Sequence, residues 1–176
     1  MSYINKINTK QISLLQVLPH LKSGGLVSGA IEISNFLKQT GGNSIIVSSG
    51  GYRENEALRN NAILINLPLE TKNPFFIYKN KAKIIEIIRK YNINIVHARS
   101  RAPAWSSYWA AKFTNTPFIT TFHGTYGTEN IIKKKYNSVM LKGDYVIAIS
   151  KFIKSHIEKE YNKSANVFVV PRGIDE

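Results

Sequence analysis

The feature that most constrains the fold is a series of short apolar runs that alternate with longer segments of helical periodicity. The runs are rich in isoleucine and valine, and they lack the polar alternation of a strand with one solvated face. Such runs are typical of strands that are buried on both faces of a parallel sheet. They predict seven strands: Ser13–Leu18, Ser44–Ser48, Ala62–Leu67, Asn94–Ala98, Phe118–Phe122, Tyr145–Ile149 and Asn166–Val170.

The segments between these runs carry apolar residues at helical spacing. They predict five helices: Ser28–Thr40, Pro74–Tyr91, Ala102–Phe113, Glu129–Leu141 and Lys151–Tyr161. Regular alternation of strands and helices predicts an α/β fold, a Rossmann-like doubly wound parallel sheet. The length of 176 residues fits one domain of the usual size, about 100–200 residues.

The chain is strongly basic, with 24 Lys and Arg against 11 Asp and Glu and a formal net charge of +13. This charge favours an anionic partner such as a nucleic acid, an anionic lipid or a phosphorylated substrate. The sequence also contains 18 Lys, 24 Ile and 17 Asn, the residues that A/T-rich codons encode, so the charge alone does not choose a partner. Cysteine is absent, which excludes disulfides and thiolate chemistry and makes the cytoplasm the simplest expected location.

Residues suited to binding and catalysis follow the predicted strands. In an open parallel sheet, ligands bind outside the carboxyl ends of the strands. Three of the four histidines and three of the six arginines fall at this edge or near it. The candidate residues are Gly24 and Gly25 after the first strand, His97, Arg99 and Arg101 after the fourth, His123, Gly124, Thr125 and Tyr126 after the fifth, and Arg172 and Gly173 after the seventh.

Each candidate has a structural alternative. Gly24 and Gly25 can admit a phosphate to a helix N-terminus, or they can form a turn that only permits tight packing. Their spacing fits neither the dinucleotide fingerprint nor the Walker loop. His123 can donate to a sugar hydroxyl or polarise a leaving group, or it can be a satisfied structural histidine. Arg99 and Arg101 can form an anion site or lie solvated in water. The histidines are widely spaced, so no metal is expected.

The segment Ile131–Lys142 is basic and amphipathic. Three consecutive lysines begin at Lys133, and isoleucines precede them. Such a helix can lie on an anionic membrane, or it can pack on the core and expose its lysines to water. We therefore expect a cytoplasmic protein that can contact the inner face of the cytoplasmic membrane.

Five segments in their order along the chain resemble a known family. They are the Gly24–Gly25 loop, Val96–Ala104, Thr121–Tyr126, Val146–Ile153 and Val169–Asp175. Together they resemble the N-terminal domain of retaining GT-B glycosyltransferases of family 4, over essentially the whole chain. The resemblance implies that residues 1–176 form the acceptor-side half of a two-domain enzyme.

The resemblance also assigns roles. It implies that Gly24 and Gly25 approach the donor diphosphate and that His123 lies beside the transferred sugar as the catalytic residue. His97, Arg99, Arg101, Gly124, Thr125 and Tyr126 are expected to bind the acceptor, and Arg172 and Gly173 to open the interdomain connection. Where the family often has Asn before the final Gly, this chain has Arg172. No cofactor other than the nucleotide-sugar substrate is implied.

One departure from the family is large. The two glutamates that the family's second domain carries, separated by seven residues, have no counterpart in this sequence. We therefore expect that the C-terminal donor-binding domain is absent from this chain, that the chain is a fragment, a truncated product or a subunit of a split enzyme, and that alone it is inactive.

The expected function is transfer of a hexose from a UDP- or GDP-sugar to a cell-envelope glycan or glycolipid, as in lipopolysaccharide synthesis. The alternative is a non-catalytic module that binds a glycan or an anionic lipid. Nucleic-acid binding would need a basic groove lined with aromatic residues, whereas the clustered arginines lie at strand ends, so no nucleic-acid partner is expected.

Overall fold

A seven-stranded parallel sheet organises the computed structural model, which describes residues 9–60, 62–71, 73–127 and 130–171. Every neighbouring pair of strands is parallel, and the order in the sheet is β3-β2-β1-β4-β5-β6-β7. The strands are β1 (Ser13–Val17), β2 (Asn43–Ser48), β3 (Ile63–Asn66), β4 (Ile95–Ala98), β5 (Phe118–Phe122), β6 (Tyr145–Ala148) and β7 (Val167–Val169). The predicted doubly wound sheet is confirmed.

Six α-helices join these strands in the described part of the chain. They are α1 (Gly25–Gln39), α2 (Glu54–Arg59), α3 (Pro74–Lys90), α4 (Arg101–Thr114), α5 (Ile131–Asn137) and α6 (Lys151–Tyr161). Helix α2 was not predicted, because six residues are too few to show a helical period. None of these helices has the length and apolar character that a membrane crossing needs.

Two helix boundaries differ from prediction in ways that matter for the site. Helix α1 begins at Gly25 rather than Ser28, so the second glycine of the pair lies in its first turn. The predicted helix Glu129–Leu141 is shorter: α5 is followed by a 3-10 turn over Ser138–Leu141, and residue 129 lies outside the described residues. Asn137, the last residue of α5, is buried.

The strand order, not the strand direction, reverses between β1 and β4. Strands β2 and β3 lie on one side of β1, and β4 to β7 lie on the other. The loops that leave β1 and β4 therefore diverge, and a crevice opens between them at the carboxyl edge. This crevice is where a doubly wound sheet places its ligand.

A buried polar network joins β1, α1 and the end of β4 at the point where the strand order reverses. The Gln16 side chain on β1 is fully buried and donates to the Ala30 carbonyl at 2.8 Å and to Ser34 Oγ at 3.0 Å. Its amide oxygen accepts from Arg99 Nε at 3.1 Å, and Arg99 also donates to the Gly29 carbonyl at 3.3 Å. Because buried polar groups are costly unless they are paired, this network specifies how α1 and the end of β4 sit on β1.

Replacing Gln16 with leucine is expected to destabilise the fold by about 1–3 kcal/mol, because a buried guanidinium and two serine hydroxyls lose a partner. Urea unfolding followed by circular dichroism measures this change. Gln39→Leu is the matched control, since Gln39 is exposed at the end of α1. Equal unfolding midpoints for Gln16→Leu and Gln39→Leu would contradict the structural role of the network.

Candidate functional site

The glycine pair forms the turn between β1 and α1. Gly24 has φ +96°, which strongly favours glycine, and a Cβ built there would meet nothing within 4 Å. The glycine is therefore needed for backbone conformation, and the space in front of it is open. No acidic residue lies in the first turn of α1, and no side chain caps it. An open, uncapped N-terminus of a fifteen-residue helix can receive an anion.

His97 is buried at the end of β4. It is 5% exposed, and its Nε2 lies 2.7 Å from Thr121 Oγ1 on β5. Burial is the main cause that holds the pKa of His97 well below its ordinary value of 6.5, and the charges of Arg99 and His123 add to the effect. His97 is therefore neutral at physiological pH and joins two strands beneath the edge.

The two arginines that follow β4 point to different places. Arg99 is 4% exposed and lies between β1 and α1 in the polar network described above. Arg101 is half-buried in the first turn of α4 and donates to the Asn137 amide oxygen at 3.0 Å. The Arg101 guanidinium also lies 4.4 Å from the centre of the Tyr126 ring. Arg101 therefore links α4 with α5 and with the loop that follows β5.

The loop after β5 carries His123, Gly124, Thr125 and Tyr126. The Tyr126 ring packs on Phe122 with centroids 4.9 Å apart, and burial raises the pKa of its hydroxyl, against an opposing effect of Arg101. Gly124 has open space at its Cβ position, and Thr125 is exposed. The anchored tyrosine thus holds a loop in which Gly124 and Thr125 face open space, whereas His123 Nε2 is buried.

Two residues that sequence reasoning did not select hold this loop in place. Asn137 is 2% exposed and donates to the Gly127 carbonyl at 3.0 Å while accepting from Arg101. His156 on α6 accepts the Tyr126 backbone N–H at Nε2, at 3.3 Å. His156 lies inside the predicted helix Lys151–Tyr161, three residues after the buried Ile153, and this spacing could have indicated an inward-facing partner.

A cavity of about 740 Å³ opens at the same edge. Arg101 lines it together with Pro19 from the loop after β1, Glu70 from the loop after β3, and Lys133 and Tyr136 from α5. Glu70 pairs with Lys22 from the loop after β1 at 3.1 Å, and Glu70 also lines a neighbouring cavity of about 480 Å³. The larger cavity combines cations, an aromatic ring and a carboxylate, a set that suits a polar, ring-shaped ligand.

The predicted site residues thus divide into three groups. Gly24, Gly25 and the His123 loop share the carboxyl edge, with β4 between the strands that carry them. Arg101 lines the cavity, whereas His97 and Arg99 are buried inside the fold. Arg172 and Gly173 lie outside the described residues. Within the described ranges, no three His, Asp or Glu side chains form a group that could hold a metal ion.

The low pKa of His97 predicts a pH dependence of stability. Below pH 6.5 the His97 imidazole binds a proton in the unfolded chain but stays neutral in the folded chain. The free energy of unfolding therefore decreases as the pH falls, by up to about 1.4 kcal/mol for each pH unit. Urea unfolding between pH 7 and pH 5 should show a shallower slope for His97→Gln than for the unmodified chain. His20→Gln, at a half-buried loop position, is the control, and an unchanged slope for His97→Gln would refute the assignment.

Comparison with known proteins gives the family and the fold. The sequence profile described as Glycosyltransferase Family 4 matches residues 23–176. A search of curated proteins found no match. Among solved structures, a glycosyltransferase from Rickettsia africae is 47% identical with a TM-score of 0.83, and the alignment covers 93% of this chain and 44% of that one.

Two more distant structures share the fold. Anabaena HepE in complex with UDP and glucose is 14% identical with a TM-score of 0.75, covering 94% of this chain and 45% of that one. The lipopolysaccharide outer core galactosyltransferase WaaB is 15% identical with a TM-score of 0.69, covering 93% and 46%. This chain therefore spans less than half the length of each of these structures, and it belongs to Glycosyltransferase Family 4.

Proposed function

We propose that this chain is the acceptor-binding half of a retaining hexosyltransferase, which moves a sugar from a UDP- or GDP-linked donor to a glycan or glycolipid of the cell envelope. The carrying observation is the shared edge: an open glycine turn, the His123 loop and a cation-lined cavity all lie where the sheet reverses. The names of two relatives agree with this proposal, since one is a complex with UDP and glucose and the other a galactosyltransferase of lipopolysaccharide.

On the donor side, Gly24 and Gly25 let the diphosphate approach the N-terminus of α1. The positive end of that helix stabilises the negative charge that builds up on the leaving nucleotide. In this proposal helix termini and cations stabilise the leaving diphosphate, and no metal ion is required. His123, at the end of β5, lies beside the transferred sugar and donates to its hydroxyls or to the leaving oxygen.

On the acceptor side, the cavity beside Arg101 receives the glycan, and Gly124, Thr125 and Tyr126 form the wall toward the donor. His97 and Arg99 act from within the fold, because both are buried and hold the ends of β4 and β1. The residues that touch the acceptor are thus separated from the residues that fix their positions.

The other wall of the crevice comes from a second α/β domain that binds the nucleotide. Support for it comes from the structural relatives, of which this chain covers 44–46%. Arg172 and Gly173 would open the connection between the two domains. Charge stabilisation across a cleft needs both walls, so we expect this chain alone to show no transfer.

Helix α5 supports an acceptor that is held at a membrane on the cytoplasmic side. Ile131 and Ile132 are 85% and 76% exposed, and the lysines at 133–135 beside them are exposed as well. Ile132 and Lys133 also line the acceptor cavity. Exposed aliphatic side chains with adjacent lysines are typical of a surface that inserts at an anionic bilayer, and here that surface would deliver a glycolipid directly to the cavity.

A chimaera tests the transferase proposal. This chain replaces the corresponding part of the Rickettsia africae glycosyltransferase, whose 47% identity favours a compatible domain interface. With radiolabelled UDP- and GDP-hexoses and bacterial envelope glycolipids, the chimaera is expected to incorporate label, whereas the isolated chain is not. His123→Ala and Gly25→Val in the chimaera should reduce transfer at least a hundredfold, as expected for loss of a stabilising donor or of close phosphate approach.

Lys38→Val is the control for the glycine variant, because it places the same β-branched residue on an exposed position at the far end of α1. Thermal melting establishes that each variant is folded. Wild-type rates in folded His123→Ala and Gly25→Val would refute the site. If the chimaera incorporates label from none of the donors, the transferase proposal fails and the alternative of a glycan-binding module stands.

Sedimentation with vesicles tests the membrane surface. The double change Ile131→Ser and Ile132→Ser should release the chain from vesicles rich in phosphatidylglycerol, because about 1.5–3 kcal/mol of burial is lost for each side chain. Phe113→Ser is the control, since Phe113 is exposed at the opposite edge of the sheet. Equal binding of both variants would exclude α5 as the contact.

A further inference from the structure

The Arg101 guanidinium lacks a negative partner within the part of the chain that the structure describes. Its contacts are the neutral amide of Asn137 and the face of the Tyr126 ring. Arg53 shows the contrast: two of its nitrogens bind the Glu56 carboxylate at 2.6 Å. A half-buried cation with neutral neighbours is incompletely stabilised, and an anion would complete its surroundings.

Three tyrosines also lie close enough to Arg101 to feel its charge. Its charge lowers the pKa of Tyr126, Tyr136 and Tyr161, while burial raises the pKa of all three. The guanidinium thus acts on phenol groups in a partly dry environment, where an added oxyanion would interact strongly.

The cavity gathers further positive charge beside Arg101. Lys133 lines it, as do Ser100 and Ala102 at the start of α4. The first turn of α4 contains no acidic residue, and the Ser100 side chain makes no capping hydrogen bond. Glu70 is the carboxylate among the described lining residues, and it is paired with Lys22 at 3.1 Å. A side-chain fork, an ammonium group and a helix N-terminus therefore meet in one cavity.

We propose that this cavity is an oxyanion subsite and that the acceptor carries a phosphate or carboxylate group, which Arg101 binds through the nitrogens of its fork that Asn137 does not use. This proposal deepens the proposed function and rests on it, because only that function makes the bound anion part of an acceptor. Tyr136 and Ile132 line the same cavity and offer an apolar wall to the sugar ring that bears the anion. A neutral glycan would leave the Arg101 charge uncompensated, so the subsite selects anionic acceptors.

The chain contains its own reporter of this cavity. The Trp105 indole N–H donates to the backbone carbonyl of Tyr136, a residue that lines the cavity, at 3.0 Å. Because the sequence has two tryptophans, an NMR spectrum of a nitrogen-labelled sample shows two indole N–H signals. Glucose 6-phosphate is the probe, and glucose is its neutral counterpart. We expect the phosphate ester to shift the Trp105 signal saturably and glucose to leave it unchanged.

Variants of Arg101 test whether its guanidinium group binds glucose 6-phosphate. Arg101→Gln should weaken glucose 6-phosphate binding at least tenfold, and Arg101→Lys, which keeps the charge but not the fork, should weaken it less. Arg89→Gln is the control, because Arg89 is exposed on α3 and stacks on Phe113. No saturable shift in the unmodified chain, or equal affinity in Arg101→Gln and Arg89→Gln, would overturn the subsite.

Two further arms separate the sources of the anion. Uridine diphosphate should not displace glucose 6-phosphate. Displacement that depends on Arg101 would show that the cavity binds the donor, and it would overturn the acceptor assignment. In the chimaera, transfer to a phosphorylated acceptor should exceed transfer to its neutral counterpart at least tenfold, and Arg101→Gln should remove the preference. Equal transfer to both acceptors refutes the subsite and leaves the transferase standing, whereas anion binding without any transfer refutes the transferase alone.

Discussion

The reversal of strand order between β1 and β4 is the constraint on which the rest of the structure depends. Parallel strands need crossover helices, and the helices that leave β1 and β4 go to opposite sides of the sheet. The fully buried Gln16 and the 4% exposed Arg99 fix that point, since each satisfies polar groups of the other and of α1. A crevice at the carboxyl edge follows from the strand order itself, before any functional residue is considered.

The chemistry of the site follows from that crevice in two layers. Buried residues set positions: His97 joins β4 to β5, and Asn137 holds the loop that follows β5. Gly24 and Thr125 are exposed on loops at the carboxyl edge, and Arg101 lines the cavity there. Such a separation lets the groups that face the crevice vary without disturbing the scaffold.

Much of this arrangement could be predicted from the sequence. The seven apolar runs predicted the seven strands, and the rule about carboxyl ends placed the glycine turn and His123 at one edge. Strands β1, β2, β4 and β5 are mostly buried as expected, whereas the edge strand β3 is partly exposed, with Ile63 43% exposed. Side-chain direction could not be predicted in the same way. Arg99 and Arg101 are two residues apart, yet one is buried against α1 and the other lines the cavity. The deciding partners, Gln16 and Asn137, lie 83 and 36 residues away along the chain.

Loop partners were missed for the same reason. Nothing near Tyr126 in the sequence indicates that its backbone N–H meets His156, thirty residues later, on another helix. The short helix α2 was missed because one and a half turns show no helical period.

The central claim is that the edge at the strand reversal is one wall of a sugar-transfer crevice. A crystal structure of the chimaera with an intact nucleotide sugar tests it most directly: the account places the hexose within about 4 Å of His123 and the diphosphate in front of Gly24 and Gly25. A donor bound at the amino edge of the strands, or with its sugar turned away from the loop after β5, would contradict it.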